Sequence, residues 1–275
     1  MYSNRTAAPL LLRSCPRCGT DNSGSRVLGY SWQQWHLRRC RACDFVYLEN
    51  PPDYSGLSVD YAWETDDYAQ RMSEEYPLTR SLSRGWRRVR RRLIPRPDKL
   101  ARRVTAHVPP GRVIDVGCGS AGHLLALERH HEIVGIEISV ALAGQAEARL
   151  ASRSGTVVNM PAIEGLAAMA PASASGVLMR SFLEHEHRPA ALLAEVARVL
   201  VAGGAVVVKV PNFGCLNRRL MGSRWCGFRF PGHVNYFTPA SLREMVEGAG
   251  LTVTEFGLFD RFPFADNMWL VAHRT

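Results

Sequence analysis

Four cysteines in two closely spaced pairs have the arrangement of metal ligands. Cys15-Pro-Arg-Cys18 and Cys40-Arg-Ala-Cys43 are separated by 21 residues, and such pairs can fold as knuckles that place four thiolates tetrahedrally around Zn²⁺. Gly19 suits the knuckle turn because glycine tolerates a positive φ. The spacing therefore predicts a structural zinc site made of Cys15, Cys18, Cys40 and Cys43, with a redox dithiol pair or ordinary cysteines as the alternatives.

A glycine-rich turn after an apolar run could hold a nucleotide-like ligand. The turn, Gly117-Cys-Gly-Ser-Ala-Gly122, directly follows residues 112–116, and glycines there let the backbone approach a ligand at the start of the next helix. Asp115 precedes the glycines, where a phosphate-binding turn would gain nothing from a carboxylate. Glu137, at the end of the next apolar run, could accept both hydroxyls of a ribose. By itself, however, such a turn is shared with dinucleotide-binding folds.

Two histidines are candidate general bases, since histidine is the usual base near neutral pH. His185 lies in the segment 181–189, after the fourth predicted strand, and could instead pack or cap the helix that begins near Pro189. His233 lies in the long segment 213–237, between a predicted strand and a helix. An insertion of this length is often a lid. Its aromatic residues could cover an acceptor or pack as a separate small core: Trp225, Phe228, Phe230 and Tyr236.

The elements that must position these side chains alternate between strands and helices from Gly111 onward, which predicts an α/β fold with a mostly parallel sheet covered on both faces. We predict a zinc ribbon over residues 1–50, a helical connector or lid over 51–110 and the large domain over 111–275. Apolar periodicity in the large domain predicts strands over 112–116, 132–137, 156–158, 176–179, 205–210, 251–256 and 268–273, and helices over 123–129, 140–150, 190–200 and 240–249.

The composition argues against a membrane or secreted protein, and its positive charge raises the question of nucleic-acid binding. The 275-residue chain has no apolar run long enough to span a bilayer or to form a signal peptide, so we expect a cytoplasmic protein without a membrane partner. The net charge of +9 invites a nucleic-acid function, but the positive charge is almost all arginine, with only two lysines. We therefore do not expect nucleic acid as a partner. An arginine-rich helix over 84–92 could bind phosphate or RNA, or could be a solvated face.

In order and spacing, the motifs of the large domain resemble class I S-adenosylmethionine-dependent methyltransferases of the ubiquinone, glycan and natural-product types. The resemblance covers about 165 residues, and it implies a Rossmann-like, seven-stranded, mostly parallel sheet with an antiparallel last strand. The matching pieces are Val113-Ile-Asp-Val-Gly-Cys-Gly-Ser-Ala-Gly122, Gly135-Ile-Glu-Ile-Ser139, Phe182-Leu-Glu-His185, Val199-Leu-Val-Ala-Gly-Gly204 and Gly232-His-Val-Asn-Tyr-Phe-Thr-Pro-Ala-Ser-Leu242.

The resemblance also implies S-adenosylmethionine as the cofactor and assigns roles to single residues. Asp115, Gly117 and Gly119 would bind the amino-acid end of the cofactor. Glu137 would bind its ribose, and Asn159 and Met160 would lie near its adenine. The sequence departs from the family at residues 173–176, where an aromatic-aspartate pair is usual, and at Glu137, which replaces the commoner aspartate. Some relatives bind a divalent metal through Glu-x-x-Glu-His, and because Ser181 replaces the first glutamate we predict no such metal here.

These observations favour an enzyme that methylates a small molecule or a sugar, on oxygen, in bacterial biosynthesis. One alternative is an RNA methyltransferase that uses the zinc ribbon to bind RNA. The chain lacks the Asn/Asp-Pro-Pro-Tyr/Phe signature of amine methylation, and its Pro211-Asn212-Phe213 follows the fifth strand rather than the fourth. Another alternative is a binding module without enzymatic activity, and the intact glycine turn argues against it.

Overall fold

The computed structural model of the protein describes residues 9–53 and 98–275. The strands are β1 (Leu37–Arg39), β2 (Val46–Leu48), β3 (Gly111–Val116), β4 (His131–Ile136), β5 (Thr156–Val158), β6 (Ala174–Arg180), β7 (Leu200–Pro211), β8 (Asn235–Tyr236), β9 (Leu251–Glu255) and β10 (Asn267–Arg274). The helices are α1 (Lys99–His107), α2 (Val140–Leu150), α3 (Ala162–Ala167), α4 (Pro189–Val199), α5 (Leu216–Met221) and α6 (Pro239–Gly248).

A seven-stranded sheet with the order β5-β4-β3-β6-β7-β10-β9 forms the centre of the large domain. The neighbours from β5 to β7 are parallel, whereas β10 runs antiparallel to both β7 and β9. The central strands are buried on both faces, which explains why they are near-continuous apolar runs. The predicted fold, including the antiparallel last strand, is confirmed.

One predicted helix is wrong, and the error lies next to the glycine turn. Residues 123–129 do not form an α-helix; a short 3₁₀ helix, Gly122–Ala126, stands there. Ala121 enters it with a left-handed φ of 55°, and Leu127 leaves it in an extended conformation. Arg153 donates hydrogen bonds to the carbonyls of Leu124 and Leu127, at 3.0 and 2.7 Å. The Leu124 carbonyl also accepts the backbone N–H of Leu127 at 3.1 Å, so a local bond and a distant side chain satisfy this end without a further α-helical turn.

The cysteine-rich N-terminal segment is joined to the large domain by a shared sheet. β2 pairs antiparallel with β1 on one side and with β8 on the other, and β8 belongs to the insertion that follows β7. The ring of Phe45 meets that of Phe237 edge-on at 5.3 Å. Cys15, Cys40 and Phe45 are buried in the same apolar cluster as the central sheet.

Most of the predicted connector, and the whole arginine-rich segment 84–92, lie outside the described residues. The last part of the connector contains α1, which is capped at its N-terminus by Asp98, whose carboxylate accepts the backbone N–H of Leu100. No helix within residues 9–53 and 98–275 has the length and apolar character needed to cross a bilayer.

Candidate active site and cysteine centre

A cavity of about 660 Å³ opens at the carboxyl ends of β3, β4 and β6. In open α/β sheets this edge is where ligands bind, and the volume is typical of sites for cofactor-sized molecules. The wall contains Leu11, Leu12, Arg13, Asp53, Gly117, Ile136, Glu137, Ile138, Leu142, Met160, Pro161, Ala162, Glu164, Ser181, Phe182, His185, Glu186, His187 and Arg188. The cavity is thus lined by the large domain and, unexpectedly, by the N-terminal segment.

Glu137 is held at the cavity wall by backbone groups. Its Oε2 accepts the N–H of Gly119 at 2.8 Å, and its Oε1 accepts that of Ser139 at 2.9 Å. Behind it, the Asn159 side chain donates to the carbonyls of Glu137 and Ile138. A carboxylate can accept about four hydrogen bonds, so Glu137 retains acceptor capacity for a ribose diol.

The predicted cofactor residues are therefore brought to one place, but in different ways. Gly117, Glu137 and Met160 line the cavity, with Met160 39% exposed. Gly119 and Asn159 brace Glu137 and its loop instead of lining the wall. Their assignment to the cofactor stays a prediction, which this arrangement fits.

Asp115 is buried beneath the glycine turn and is 1% exposed. Its Oδ2 lies 2.9 Å from Nε2 of His123, whereas its Oδ1 has no hydrogen-bond partner in the described part of the chain. Burial raises the pKa of Asp115 above its usual value. A buried carboxylate oxygen without a partner calls for an explanation, and an ammonium group at the amino-acid end of the cofactor would supply one. Sequence reasoning missed His123, because it placed that residue on a helix.

His185 and His233 come together, with ring centroids 4.8 Å apart in an edge-to-face arrangement. His185 lines the cavity, and its Nδ1 lies 2.9 Å from the carbonyl oxygen of Gly232. His233 lies behind it, 5% exposed, with Nδ1 2.8 Å from the carbonyl oxygen of Gly227. A carbonyl can only accept, so both Nδ1 atoms carry the proton.

Charged groups surround this histidine pair. Burial is the main reason that the pKa of His233 is well below its usual value, and the neighbouring His185 lowers it further. One ligand-type atom each of Glu184, His185 and His233 lies within 4.8 Å of the others, which is close enough to share a proton or a cation. The structure thus adds Glu184 to the two predicted histidines.

Lys209 is a further residue of the site that sequence reasoning missed. Its Nζ donates to Oγ of Ser181 at 2.7 Å, and Ser181 lines the cavity with a left-handed φ of 58°. Burial lowers the pKa of Lys209, partly offset by the Glu184 carboxylate. One feature of the sequence could have identified Lys209: it is the single charged residue in the otherwise apolar, β-branched run Val206-Val-Val-Lys-Val210.

The long segment 213–237 does not cover the cavity with its aromatic rings. Phe213, Trp225, Phe228 and Tyr236 form a buried cluster together with Trp35, Leu37, Val46 and Leu48 of the N-terminal segment. Of the two interpretations of these aromatics, separate small core or acceptor cover, the structure supports the small core. The cluster attaches the N-terminal segment to the insertion that carries His233.

The four predicted metal ligands converge. The Sγ atoms of Cys15 and Cys43 are 3.6 Å apart, those of Cys18 and Cys40 are 3.4 Å apart, and all four lie within 4.8 Å of one another. A tetrahedral zinc with Zn–S bonds of about 2.3 Å requires S–S separations of roughly 3.8 Å, so the quartet fits this ion.

The chemistry of the thiols also suits a cation. Burial raises the pKa of Cys43 to about 11, which makes it costly to hold a thiolate there without a positive charge. Burial would also raise the pKa of Cys40, but hydrogen bonds from the backbone N–H groups of Ala42 and Cys43 hold it at about 6. No disulfide joins any of the seven cysteines.

The sheet order, the glycine turn and the acidic residue after β4 together define a class I S-adenosylmethionine-dependent methyltransferase. Residues 85–255 match the family model described as a methyltransferase domain. The chain belongs to this family.

Sequence relatives support the same class. The chain is 30% identical over 176 residues to the ubiquinone biosynthesis O-methyltransferase of Burkholderia thailandensis, covering 58% of this chain and 72% of the relative. The enzyme of the same name from Burkholderia pseudomallei is also 30% identical, over 166 residues, covering 54% of this chain and 68% of the relative.

Solved structures share the fold. A S-adenosylmethionine-dependent methyltransferase from Archaeoglobus fulgidus is 18% identical, with a TM-score of 0.50 over 78% of this chain and 100% of the other. The cyclase SpnF is also 18% identical, with a TM-score of 0.51 over 64% of this chain and 81% of the other. Because SpnF is named a cyclase, the shared fold does not by itself specify a reaction.

Proposed function

We propose that this methyltransferase acts on a hydroxyl oxygen of a small-molecule or sugar acceptor in bacterial biosynthesis, with His185 as the general base. The observation that carries the proposal is the position of His185. It lines the same cavity as Gly117 and Glu137, and its Nδ1–H donates to the Gly232 carbonyl, which makes Nε2 the basic nitrogen. The names of the Burkholderia relatives support oxygen as the target.

When bound, S-adenosylmethionine supplies an electrophilic methyl group on a sulfonium. Glu137 would hold the ribose, Asp115 would face the amino-acid end, and Met160 would contact the adenine. His185 Nε2 would take the hydroxyl proton of the acceptor as the methyl group is transferred to its oxygen, and would then return that proton to solvent.

His233 has a supporting role in this proposal. It is nearly inaccessible behind His185, and its lowered pKa keeps it neutral near pH 7. A neutral, buried ring packed against His185 can fix the orientation of the base without carrying the proton itself. Replacing His233 should therefore weaken catalysis less than replacing His185.

The cysteine quartet completes the proposal as a structural Zn²⁺ site formed by Cys15, Cys18, Cys40 and Cys43. Four thiolates leave no coordination position for water, so the metal would not take part in methyl transfer. The predicted cytoplasmic location belongs to the same proposal, because a reducing compartment keeps such thiols available. We retain residues 1–50, 51–110 and 111–275 as the proposed domains.

The experiment measures release of S-adenosylhomocysteine from the purified protein with a panel of phenols, catechols and sugar hydroxyls, and with matched amines. With an accepted hydroxyl compound, His185→Ala should lower kcat by about 10²–10⁴-fold without weakening S-adenosylhomocysteine binding. The exposed His36 provides the control variant His36→Ala. Methylation of amines alone, or equal kcat of His185→Ala and the parent at several pH values, would contradict the proposal.

A further inference from the structure

We propose that Arg13 is a positioning residue, through which the metal-bound cysteine segment sets the geometry of the His185–His233 pair. This inference rests on the proposed function for its link to methyl transfer, but its structural part can be tested without an acceptor. It predicts that metal in the cysteine quartet is required to assemble the acceptor side of the cavity, and is not required for cofactor binding.

A single guanidinium joins three segments that are far apart in the chain. Arg13 Nε donates to the carbonyl of Leu48 in β2 at 2.9 Å, and its Nη1 donates to that of His187 after β6 at 3.0 Å. Its Nη2 donates to the carbonyl of Val234 at 2.6 Å and to Oδ1 of Asn235 at 3.2 Å. Arginine presents its donors in a rigid planar fork, so these contacts fix the three segments relative to one another.

The two histidine loops meet beside this guanidinium. The backbone N–H groups of Val234 and Asn235 both donate to the carbonyl of Glu184, at 2.8 and 3.0 Å. The Asn235 side chain donates to the carbonyls of Leu183 and Glu186, at 3.0 and 2.6 Å. Glu184 directly precedes His185, and Val234 directly follows His233, so the separation of the two rings depends on this junction.

Arg13 is held in place by the cysteine segment. It lies two residues before Cys15, and its backbone N–H donates to the carbonyl of Glu49 at 3.0 Å. The preceding Leu11 donates in the same way to the carbonyl of Pro51, at 2.9 Å. Leu11, Leu12 and Arg13 all line the cavity. The fold around the metal ligands thus extends directly into the cavity wall.

The wall of the cavity that would bind the cofactor is held by other contacts, which do not involve the cysteine segment. Glu137 is held by Gly119, Ser139 and Asn159, all within the large domain. Loosening the cysteine segment should therefore disturb the histidine pair while leaving the binding surface for S-adenosylhomocysteine intact.

The test compares Arg13→Met with Arg39→Met in the full-length protein. Arg39 belongs to the same segment but is half-exposed, with its guanidinium 3.9 Å from the exposed Asp44 carboxylate. Three quantities are measured: the zinc content, the affinity for S-adenosylhomocysteine, and the downfield proton signals of the His185 and His233 Nδ1–H groups. Both N–H groups donate to carbonyls, which slows their exchange with water and makes their signals observable.

Arg13→Met should keep its zinc and its affinity for S-adenosylhomocysteine, but should lose or shift the His185 Nδ1–H signal. With an accepted acceptor, kcat should fall by about 10²-fold, as expected when a catalytic group is misplaced by about 1 Å. Arg13→Lys should restore only part of this loss, because an ammonium cannot reproduce the planar fork. Arg39→Met should match the parent in every measurement.

Removal of zinc by a chelator should abolish the two histidine signals without weakening the binding of S-adenosylhomocysteine. Adding Zn²⁺ back should restore the histidine signals. Unchanged histidine signals in Arg13→Met would overturn the positioning role. Loss of S-adenosylhomocysteine binding in that variant would overturn it too, because Arg13 would then hold the whole fold. If no acceptor hydroxyl is methylated, the proposed function fails while the signals still decide the role of Arg13.

Discussion

The ring of Phe182 lies against Gly117 so closely that a Cβ on Gly117 would stand 2.1 Å from Phe182 Cδ2. Gly117 also has a φ of +69°, a conformation that residues with a side chain rarely adopt. The turn after β3 therefore requires glycine for two independent reasons. One is the backbone conformation, and the other is the aromatic ring that continues the cavity wall.

Gly117→Ala should consequently lower the affinity for S-adenosylhomocysteine by at least about tenfold, since either the turn or Phe182 must move. Isothermal titration calorimetry gives the affinity. Gly144→Ala is the matched control, because Gly144 is exposed within α2 and a Cβ there would meet no atom within 4 Å. The control should bind normally and be up to about 1 kcal/mol more stable. Normal binding by Gly117→Ala would show that the turn does not contact the cofactor.

Elemental analysis of the purified protein should find about one zinc per chain, as expected for a four-thiolate site. Cys40→Ser should lose the metal and loosen the N-terminal segment, while the large domain stays folded. Cys226→Ser is the control, since Cys226 lies outside the quartet, and it should keep the metal. A metal-free protein with a Cys15–Cys43 disulfide would refute this prediction.

His187 should make stability depend on pH. Burial is the main reason that the pKa of His187 is lowered to about 4, and the positive charge of Arg13 is the next. The Asp53 carboxylate raises this pKa and the Arg188 charge lowers it further. In the unfolded chain the His187 ring takes up a proton near pH 6.5. Between about pH 6.5 and 4 the unfolded chain therefore binds more protons than the folded chain. The free energy of unfolding consequently decreases as the pH falls through that window. His187→Gln should show a shallower fall in urea unfolding between pH 7 and 4.5. Identical slopes for parent and variant would exclude this contribution.

Binding to RNA should be weak and non-specific despite the net charge of +9. Contacts to phosphate depend steeply on salt, by roughly one logarithmic unit of slope per contact. Fluorescence anisotropy with a labelled structured RNA should therefore show little binding at physiological salt. A sequence-selective complex of nanomolar affinity would instead favour the RNA methyltransferase alternative.

Some features of this protein are determined by short stretches of its sequence. The strands of the central sheet are apolar runs that must be buried on both faces, and the glycines after β3 are required by local backbone conformation. The two CxxC pairs predict the cysteine quartet. These signals depend on covalent spacing and periodicity, which is why the fold class and the convergence of the four cysteines could be predicted without coordinates.

The arrangement of the site was decided by tertiary packing. The local sequence does not indicate that the ring of His185 meets that of His233, or that Arg13 joins the two loops that carry them. It also does not indicate that β2 pairs with β8. In place of the predicted helix over 123–129 there is a 3₁₀ turn, and the distant Arg153 side chain donates to the carbonyls of Leu124 and Leu127. Such contacts depend on the paths of segments that are remote in the chain, and local propensity carries no information about those paths.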